Sequence, residues 1–304
     1  MRPFAKRCLN YGPILFNRPG LFRQVFPQEL GEPTDTWPPL PATALRRDAS
    51  VISQLAPVGF GGACQSFSFY LYDEDGSNRR ENITDWALNH FRDHYHDPKI
   101  DKWAIFYYVY GLLHHPGYRE KFADNLKREL PRIPLAPPLP LAGARIPSRT
   151  PSPGIPSGRG ASSAFWAFSH AGQQLAALHL DYEKLDPWPL RIIETPGVPL
   201  SYRVADKMRL NKDKTALRIN DSLTLDGIPP EAFQYRLGNR SALDWVIDQY
   251  QLYTDPRSNI TSDPNREDDP QYIVRLVGQV IRVSIETMKI INALPQEFSD
   301  ARRS

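Results

Sequence analysis

A basic run between Tyr202 and Ile219 holds the side chains best suited to binding chemistry. Its cations are Arg203, Lys207, Arg209, Lys212, Lys214 and Arg218, and Asp206 and Asp213 lie among them. Such cations neutralise phosphates, and arginine or lysine can also read base edges in the major groove of DNA. An ordinary solvated sheet face uses the same residue types. The six cations are therefore candidate DNA-binding residues, and the sequence leaves both interpretations open.

Five histidines lie close together in the sequence and could ligate a metal. His90 and His94 are four residues apart, which places both on one face of a helix, and His96, His114 and His115 follow. No cysteine accompanies them, and no glutamate separates the first two as in a zinc protease. We favour polar side chains on the solvent side of an aromatic helix, and we predict no metal site.

Three other motifs are similar to chemical sites but fit structural roles better. Asp269-Pro270-Gln271-Tyr272 is similar to the Asn/Asp-Pro-Pro-Tyr motif of amino-methyltransferases, which holds a flipped base, but its second proline is missing. We interpret it as a helix start. Gly59–Gly62 precedes a strand-like segment, which favours a turn over a phosphate loop. The aromatic run 106–110 could stack bases, but on a helix its side chains point in several directions, which favours core packing.

No catalytic residue is predicted. Serine, histidine and aspartate are scattered along the chain without the strand–turn–helix elbow that a nucleophilic triad needs.

Three consecutive helices are predicted between residues 82 and 134. Asn82 or Thr84 caps the first, Asp101 caps the second, and Pro116-Gly117 ends the second. The third carries an apolar stripe with a spacing of four residues: Tyr118, Phe122, Leu126 and Leu130.

Short strands and further helices are predicted on either side of this block. The strands are predicted over 4–9, 50–55 and 66–72, and then over 190–193, 202–204, 207–210, 216–219 and 222–225, where polar turns indicate an antiparallel sheet. Helices are predicted over 165–180, 229–234 and 242–250, the last with a capping box from Ser241 to Asp244. A loop over 255–269 precedes a long apolar helix that opens at Pro270.

Composition bounds the fold and the environment. The 304 residues are 41% hydrophobic and carry a net charge of only +3, so they can form a core but do not by themselves indicate nucleic-acid binding. We predict an α+β fold in which a helical cluster packs with small, mostly antiparallel sheets and a long buried C-terminal helix. Residues 1–134 and 164–304 form its two ordered parts. The Pro-, Gly-, Ser- and Arg-rich residues 135–163 are predicted to be a disordered insertion.

Cysteine usage and charge placement point to the cytoplasm. Cys8 and Cys64 alone make neither a disulfide scaffold nor a zinc motif. Met1–Gly20 lacks the apolar run of a secretory signal, and the charges within Tyr272–Leu294 argue against a membrane span. We therefore expect no membrane partner.

Several collinear segments resemble one protein family. They are Arg2-Pro3-Phe4, Gly62–Tyr72, Asn82–Pro134, Phe165–Glu183, Asp221–Pro229, Asn239–Tyr250, Asp263–Arg266 and Ser284–Pro295. In this order they resemble the C-terminal specificity region of the single-chain Type ISP restriction-modification enzymes. The resemblance covers most of the chain outside the Pro-rich insertion.

The resemblance implies a function in target recognition. Enzymes of this family join a nuclease, a helicase-like motor, an adenine-specific N6 methyltransferase and a target-recognition region. The resemblance implies that this chain is the last of these, that it grips duplex DNA together with the methyltransferase, and that it is inert alone. S-adenosylmethionine, ATP and Mg²⁺ are then expected in upstream domains, and no cofactor is expected in this chain.

Two further expectations concern the chain's origin and an alternative function. The opening Arg2-Pro3-Phe4 resembles an internal family motif, which implies a split or truncated gene product. The alternative is a protein-interaction remnant that binds the upstream polypeptide without reading DNA.

Overall fold

The structure, a computed structural model, describes residues 42–44, 50–52, 66–71, 73, 77–126, 132–135, 162–256 and 259–295. They form two compact units, one containing the described residues up to 177 together with 290–295, and the other Leu178–Lys289. The strand predicted over 4–9, the turn at Gly59–Gly62, both cysteines and almost all of the insertion 135–163 lie outside the described residues.

Helices and short antiparallel strands alternate along the chain. The helices are α1 (Asp85–Tyr95), α2 (Lys102–His114), α3 (Pro116–Lys121), α4 (Ala123–Leu126), α5 (Ser162–Leu180), α6 (Ala242–Gln249) and α7 (Tyr272–Asn292), with 3-10 turns at Tyr182–Lys184 and Pro230–Phe233. The strands are β1 (Ala42–Ala44), β2 (Ser50–Ile52), β3 (Ser66–Ser68), β4 (Tyr70–Leu71), β5 (Arg80–Glu81), β6 (Arg191–Glu194), β7 (Arg209–Leu210), β8 (Ala216–Arg218), β9 (Leu223–Asp226), β10 (Arg236–Leu237), β11 (Arg240–Ser241), β12 (Tyr253–Thr254) and β13 (Thr261–Ser262). This confirms the predicted α+β class and its long C-terminal helix.

Side-chain caps start the helices where the sequence predicts them. Thr84 Oγ1 accepts a hydrogen bond from the Ala87 N–H at 3.2 Å, and Asp101 Oδ1 accepts one from the Ala104 N–H at 2.7 Å. The capping box of Ser241 with Asp244 is also present. Each cap satisfies backbone donors that a helix leaves open at its first turn.

The prediction of one continuous third helix is wrong. The described chain forms α3 and α4 instead of one helix, and the break falls at Phe122. His115 caps α3, since its Nδ1 accepts a hydrogen bond from the Tyr118 N–H at 3.3 Å, and its Nε2 donates to the Pro295 carbonyl at 2.8 Å. Pro116 therefore both follows the end of α2 and occupies the first turn of the next helix.

Aromatic side chains form the core of the first unit. Tyr108, Tyr110 and Tyr118 are fully buried, and Phe165 stacks on Tyr108 with ring centres 5.1 Å apart. The Tyr108 hydroxyl donates to the Pro134 carbonyl at 2.7 Å, so a buried phenol keeps a hydrogen-bond partner. The aromatic run 106–110 thus packs mainly into the core, as its spacing predicted.

Two glycines allow α2 and α5 to cross with their backbones in contact. A Cβ at Gly172 would lie 1.8 Å from the Tyr107 carbonyl oxygen, and one at Gly111 would lie 2.3 Å from the Phe168 carbonyl oxygen. No larger residue fits at either position without moving a helix.

A four-stranded antiparallel sheet organises the second unit. Its strand order is β6-β9-β8-β7, so β6 and β7 are its edges. Leu217, Leu223 and Leu225 are buried on one face and belong to the same core as α6 and α7. The predicted strands over 190–193, 207–210, 216–219 and 222–225 correspond to β6, β7, β8 and β9.

Two other predictions for this unit are wrong. Residues 202–204 are not a strand, because side-chain amides replace a strand partner: Asn265 bonds both the N–H and the carbonyl of Val204, and Asn220 Nδ2 donates to the carbonyls of Ser201 and Arg203. The predicted loop 255–269 contains β13, which pairs with β12 in a hairpin.

Within the described residues, no helix combines the length and the apolar character that crossing a membrane requires.

Candidate nucleic-acid interface

The outer face of the four-stranded sheet presents a row of side chains away from the core. The register places Arg209 opposite Arg218, Arg218 opposite Thr224, and Thr224 opposite Ile193. Residues paired in this way share one face of a sheet, and the neighbouring Leu217 is buried on the other face. Two exposed arginines therefore lie directly opposite each other at the β7 edge.

Asn211 fixes the turn that joins β7 to β8. Its Oδ1 accepts hydrogen bonds from two backbone N–H groups, at 2.8 Å from Thr215 and 3.1 Å from the next residue. Lys214 closes the turn in the left-handed region, with a φ of 58°, and its Nζ lies 5.3 Å from the centre of the Phe233 ring. Lys212 is exposed at the tip. The β7–β8 hairpin thus carries basic side chains on its outer face and at its turn.

Three of the six predicted cations are paired with carboxylates. The pairs are Arg203 with Asp263 at 2.5 Å, Lys207 with Asp248 at 2.8 Å, and Arg218 with Asp221. These partners offset the charge that the three cations would otherwise present to a phosphate.

Two of these carboxylates, Asp248 and Asp263, have a lowered pKa. The hydrogen bond from Lys207 is the main cause that lowers the pKa of Asp248, and Arg240 contributes a second bond at 2.9 Å. The pKa of Asp263 is also lowered, mainly by the backbone N–H of Asn265. The charge offset at these pairs therefore persists over the physiological pH range.

Arg209 and Lys212 are the exceptions among the basic residues of this unit. No carboxylate, carbonyl or aromatic partner reaches either side chain within the described part of the chain. The other described arginines and lysines of Leu178–Lys289 each have such a partner: Lys184, Arg191, Arg203, Lys207, Lys214, Arg218, Arg236, Arg240, Arg266, Arg275, Arg282 and Lys289. Both exceptions lie on the β7–β8 hairpin, whose turn also carries the acidic Asp213, so cations outnumber carboxylates there.

Two cations that belong to this surface lie outside the predicted run. Arg191 on β6 pairs with Asp226 on the outer face of the sheet. Arg240 shares Asp248 with Lys207 and lies 5.3 Å from the centre of the Trp245 ring. Strand alternation around 190–193 could have indicated Arg191, whereas Arg240 joins the group only through folding.

The predicted histidine group does not converge on one point. His90 stacks on the exposed Trp86 with ring centres 5.2 Å apart, and His96 adopts a left-handed conformation at the C-terminal cap of α1. His114 is buried, and its Nδ1 donates to the Tyr110 carbonyl at 2.9 Å. In the described ranges, no group of three histidine, cysteine or acidic side chains is placed to hold a metal ion.

The residues 269–272 form a helix start. Asp269 pairs with Arg275, and the Tyr272 hydroxyl donates to Glu183 Oε1 at 3.3 Å. Arg266 covers the Tyr272 ring at 3.4 Å from its centre. Tyr272 is only 5% exposed, so its ring offers no open face on which a flipped base would stack.

Comparison with known proteins assigns the chain to a family. The sequence model of the Type ISP C-terminal specificity domain matches residues 1–276. No protein of curated function matches the sequence closely enough to add to this finding.

Solved structures of restriction-modification enzymes share the fold. The ATP-dependent Type ISP restriction-modification enzyme LlaBIII bound to DNA matches with a TM-score of 0.76 and 27% identity, over 98% of this chain and 18% of that one. A nuclease-deletion mutant of the Type ISP enzyme LlaGI, in complex with a DNA substrate mimic, matches with a TM-score of 0.71 and 30% identity, over 98% and 24%. The DrdV–DNA complex matches with a TM-score of 0.70 and 30% identity, over 91% and 26%. The chain thus spans about a fifth to a quarter of the length of these structures.

Proposed function

The chain belongs to the Type ISP C-terminal specificity domain family, and we propose that it recognises a duplex DNA target for the catalytic parts of a restriction-modification enzyme. In this proposal it acts in the cytoplasm and holds DNA for adenine N6 methylation and restriction, which take place in other parts of the enzyme. S-adenosylmethionine, ATP and Mg²⁺ serve those parts, and this chain supplies no catalytic group.

The placement of unpaired charge carries the proposal. Arg209 and Lys212 lack counter-charges among the described residues, and both lie on the β7–β8 hairpin together with Lys214. DNA offers both kinds of partner that such cations lack: phosphates, which release counterions as they are bound, and acceptor atoms on the base edges. The DNA-bound state of the three similar structures supports DNA as the partner of this chain.

Contact with another polypeptide is a second candidate function, and the opposite edge of the same sheet favours it. Ile192 and Ile193 on β6 are 49% and 48% exposed, and Val198 and Leu200 follow with 42% and 40%. An exposed edge strand with apolar side chains can accept a further strand. We propose the upstream methyltransferase polypeptide as the partner at this edge.

A salt titration of DNA binding tests the main proposal. The full 304-residue chain, alone and with the upstream polypeptide, is titrated onto a labelled duplex at several salt concentrations. Each phosphate contact contributes about 0.9 to the slope of log affinity against log salt. Lys212→Ala should therefore lower the slope by about 0.9 and weaken binding to all sequences alike.

A matched lysine provides the control. Lys184 is also exposed, but it pairs with Asp181 at 2.8 Å and belongs to a 3-10 turn instead of the sheet. Lys184→Ala should leave the slope unchanged. Absence of duplex binding by the wild-type chain in both forms would refute DNA recognition. If the chain then bound the upstream polypeptide and Ile193→Asp abolished that binding, contact with another polypeptide at the β6 edge would be supported instead.

A further inference from the structure

Arg209 on the β7–β8 hairpin faces another arginine and has no partner of its own among the described residues. The register places Arg209 directly opposite Arg218. Like charges at directly opposite positions of a sheet are destabilising. Arg218 is relieved by Asp221 and donates from Nε to the Asn220 carbonyl at 3.3 Å, whereas Arg209 has no relief from any described residue. The fold therefore places a guanidinium without a partner among the described residues opposite a second arginine.

The β7–β8 hairpin forms one edge of the four-stranded sheet, and its inner strand β8 also pairs with β9. The major groove is roughly 12 Å wide and admits a two-stranded ribbon. Because β7 is an edge strand, no further strand of the described sheet lies beyond it. Lys212 lies three residues after Arg209, and an extended chain covers about 10 Å in three residues. A single placement of the hairpin in the groove can therefore bring the guanidinium of Arg209 to a base edge and the ammonium of Lys212 to a flanking phosphate.

On these grounds we propose that Arg209 reads a guanine in the major groove, and that Lys212 and Lys214 bind the flanking phosphates. The inference rests on the proposed function and makes it more specific. Guanine presents O6 and N7 as paired acceptors, which match two N–H donors of a guanidinium. Arg218 holds its donors toward Asp221 and Asn220 and is not assigned a base.

Arg209→Lys is the decisive variant. Lysine keeps the positive charge but presents a point charge instead of a planar fork of donors. A phosphate contact at position 209 would survive this change, whereas bidentate reading of a guanine would not. Arg209 is exposed on an edge strand, so the fold should tolerate the substitution, and a urea unfolding curve checks this.

The test is a selection from duplexes with a randomised core, using the full chain in the form that binds duplex in the salt titration. The wild-type chain should enrich a motif that contains a guanine. Arg209→Lys should reduce the preference for that guanine about tenfold, with an unchanged salt slope. Lys212→Ala should lower the slope and leave the motif intact.

Three outcomes separate the two proposals. Binding without any preferred sequence, or an unchanged motif in Arg209→Lys, would overturn base reading by Arg209 while DNA binding stands. A uniform loss of affinity for all sequences, without a change in the enriched motif, would also overturn base reading by Arg209. Failure of the wild-type chain to bind any duplex would overturn the proposed function itself.

Discussion

Replacing Gly172 by alanine should destabilise the protein, although helix propensity alone predicts the opposite. Alanine in a helix interior is favoured over glycine by about 1 kcal/mol. At this position the new methyl would lie 1.8 Å from the Tyr107 carbonyl oxygen and 2.8 Å from the Gly111 backbone nitrogen, where ordinary contact begins at 3.4 Å. Because these obstacles are backbone atoms of α2, no side chain can turn aside, and the two helices must separate.

The size of the effect follows from these opposing terms. Overpacking a core costs about 1–3 kcal/mol and occasionally more. A backbone obstacle places Gly172→Ala at the upper end of that range, so the net loss of unfolding free energy should be about 2 kcal/mol after the propensity gain. With a urea slope of about 2 kcal/mol per molar, the midpoint should fall by about 1 M.

Urea unfolding followed by circular dichroism measures this loss. Gln173→Ala is the matched control, because Gln173 is exposed on the same helix and its replacement should change stability by less than about 0.5 kcal/mol. The double variant Gly111→Ala/Gly172→Ala should cost less than the sum of the single variants, since helices already forced apart make room for the second methyl. A Gly172→Ala protein as stable as wild type would refute the close crossing of α2 and α5.

Three further predictions concern titration, backbone strain and charge. Burial lowers the pKa of His114 to about 4, below its unfolded value, so the fold favours the neutral ring. The contribution of the neutral ring to the free energy of unfolding should then be fully present above pH 6.5, and roughly 3 kcal/mol should be lost as the pH drops towards 4. In urea unfolding at pH 4.5, His114→Gln should therefore lose less free energy of unfolding, relative to neutral pH, than the wild type. Lys214→Gly should raise stability by about 1 kcal/mol, because glycine adopts the left-handed turn without strain, and should also weaken DNA binding. Asp248→Asn should raise the affinity for non-specific duplex a few-fold at low salt, since both basic partners of Asp248 lose their counter-charge. Unchanged values in these assays would contradict each prediction in turn.

Features that depend on neighbouring residues could be predicted from the sequence. Thr84, Asp101 and Ser241 cap helices through bonds to residues within three positions, so the local pattern contains the whole interaction. The apolar character of α7 likewise indicated its central place in the core of its unit.

Features that depend on distant residues could not be predicted. The side chain of Asn265 holds Val204, 61 residues away, in place of a strand partner, so a strand-like pattern at 202–204 does not form a strand. The contact between Gly111 and Gly172 is similarly invisible, because glycine in a helix usually indicates a weak point rather than a close crossing.

The candidate site shows the same limit. The six cations between residues 203 and 218 look alike in sequence, and only Arg218 has its carboxylate partner nearby, three residues later. The partner of Arg203 lies 60 residues along the chain, and that of Lys207 lies 41 residues along. Only the folded structure shows that Arg203 and Lys207 have carboxylate partners and that Arg209 and Lys212 have none among the described residues.

That separation changes how the basic run should be understood. A sheet face that served solubility alone would gain from a neutral or acidic residue opposite Arg218, because opposite charges at this position contribute roughly 0.2–1 kcal/mol and like charges oppose folding. Arg209 occupies this position without a partner among the described residues, on an edge strand where a β-branched neutral residue would fit. A cation without a partner of its own is expected where a ligand supplies the missing interaction. The acceptor that Arg209 lacks within its own unit is therefore the strongest structural argument that this edge of the sheet faces DNA.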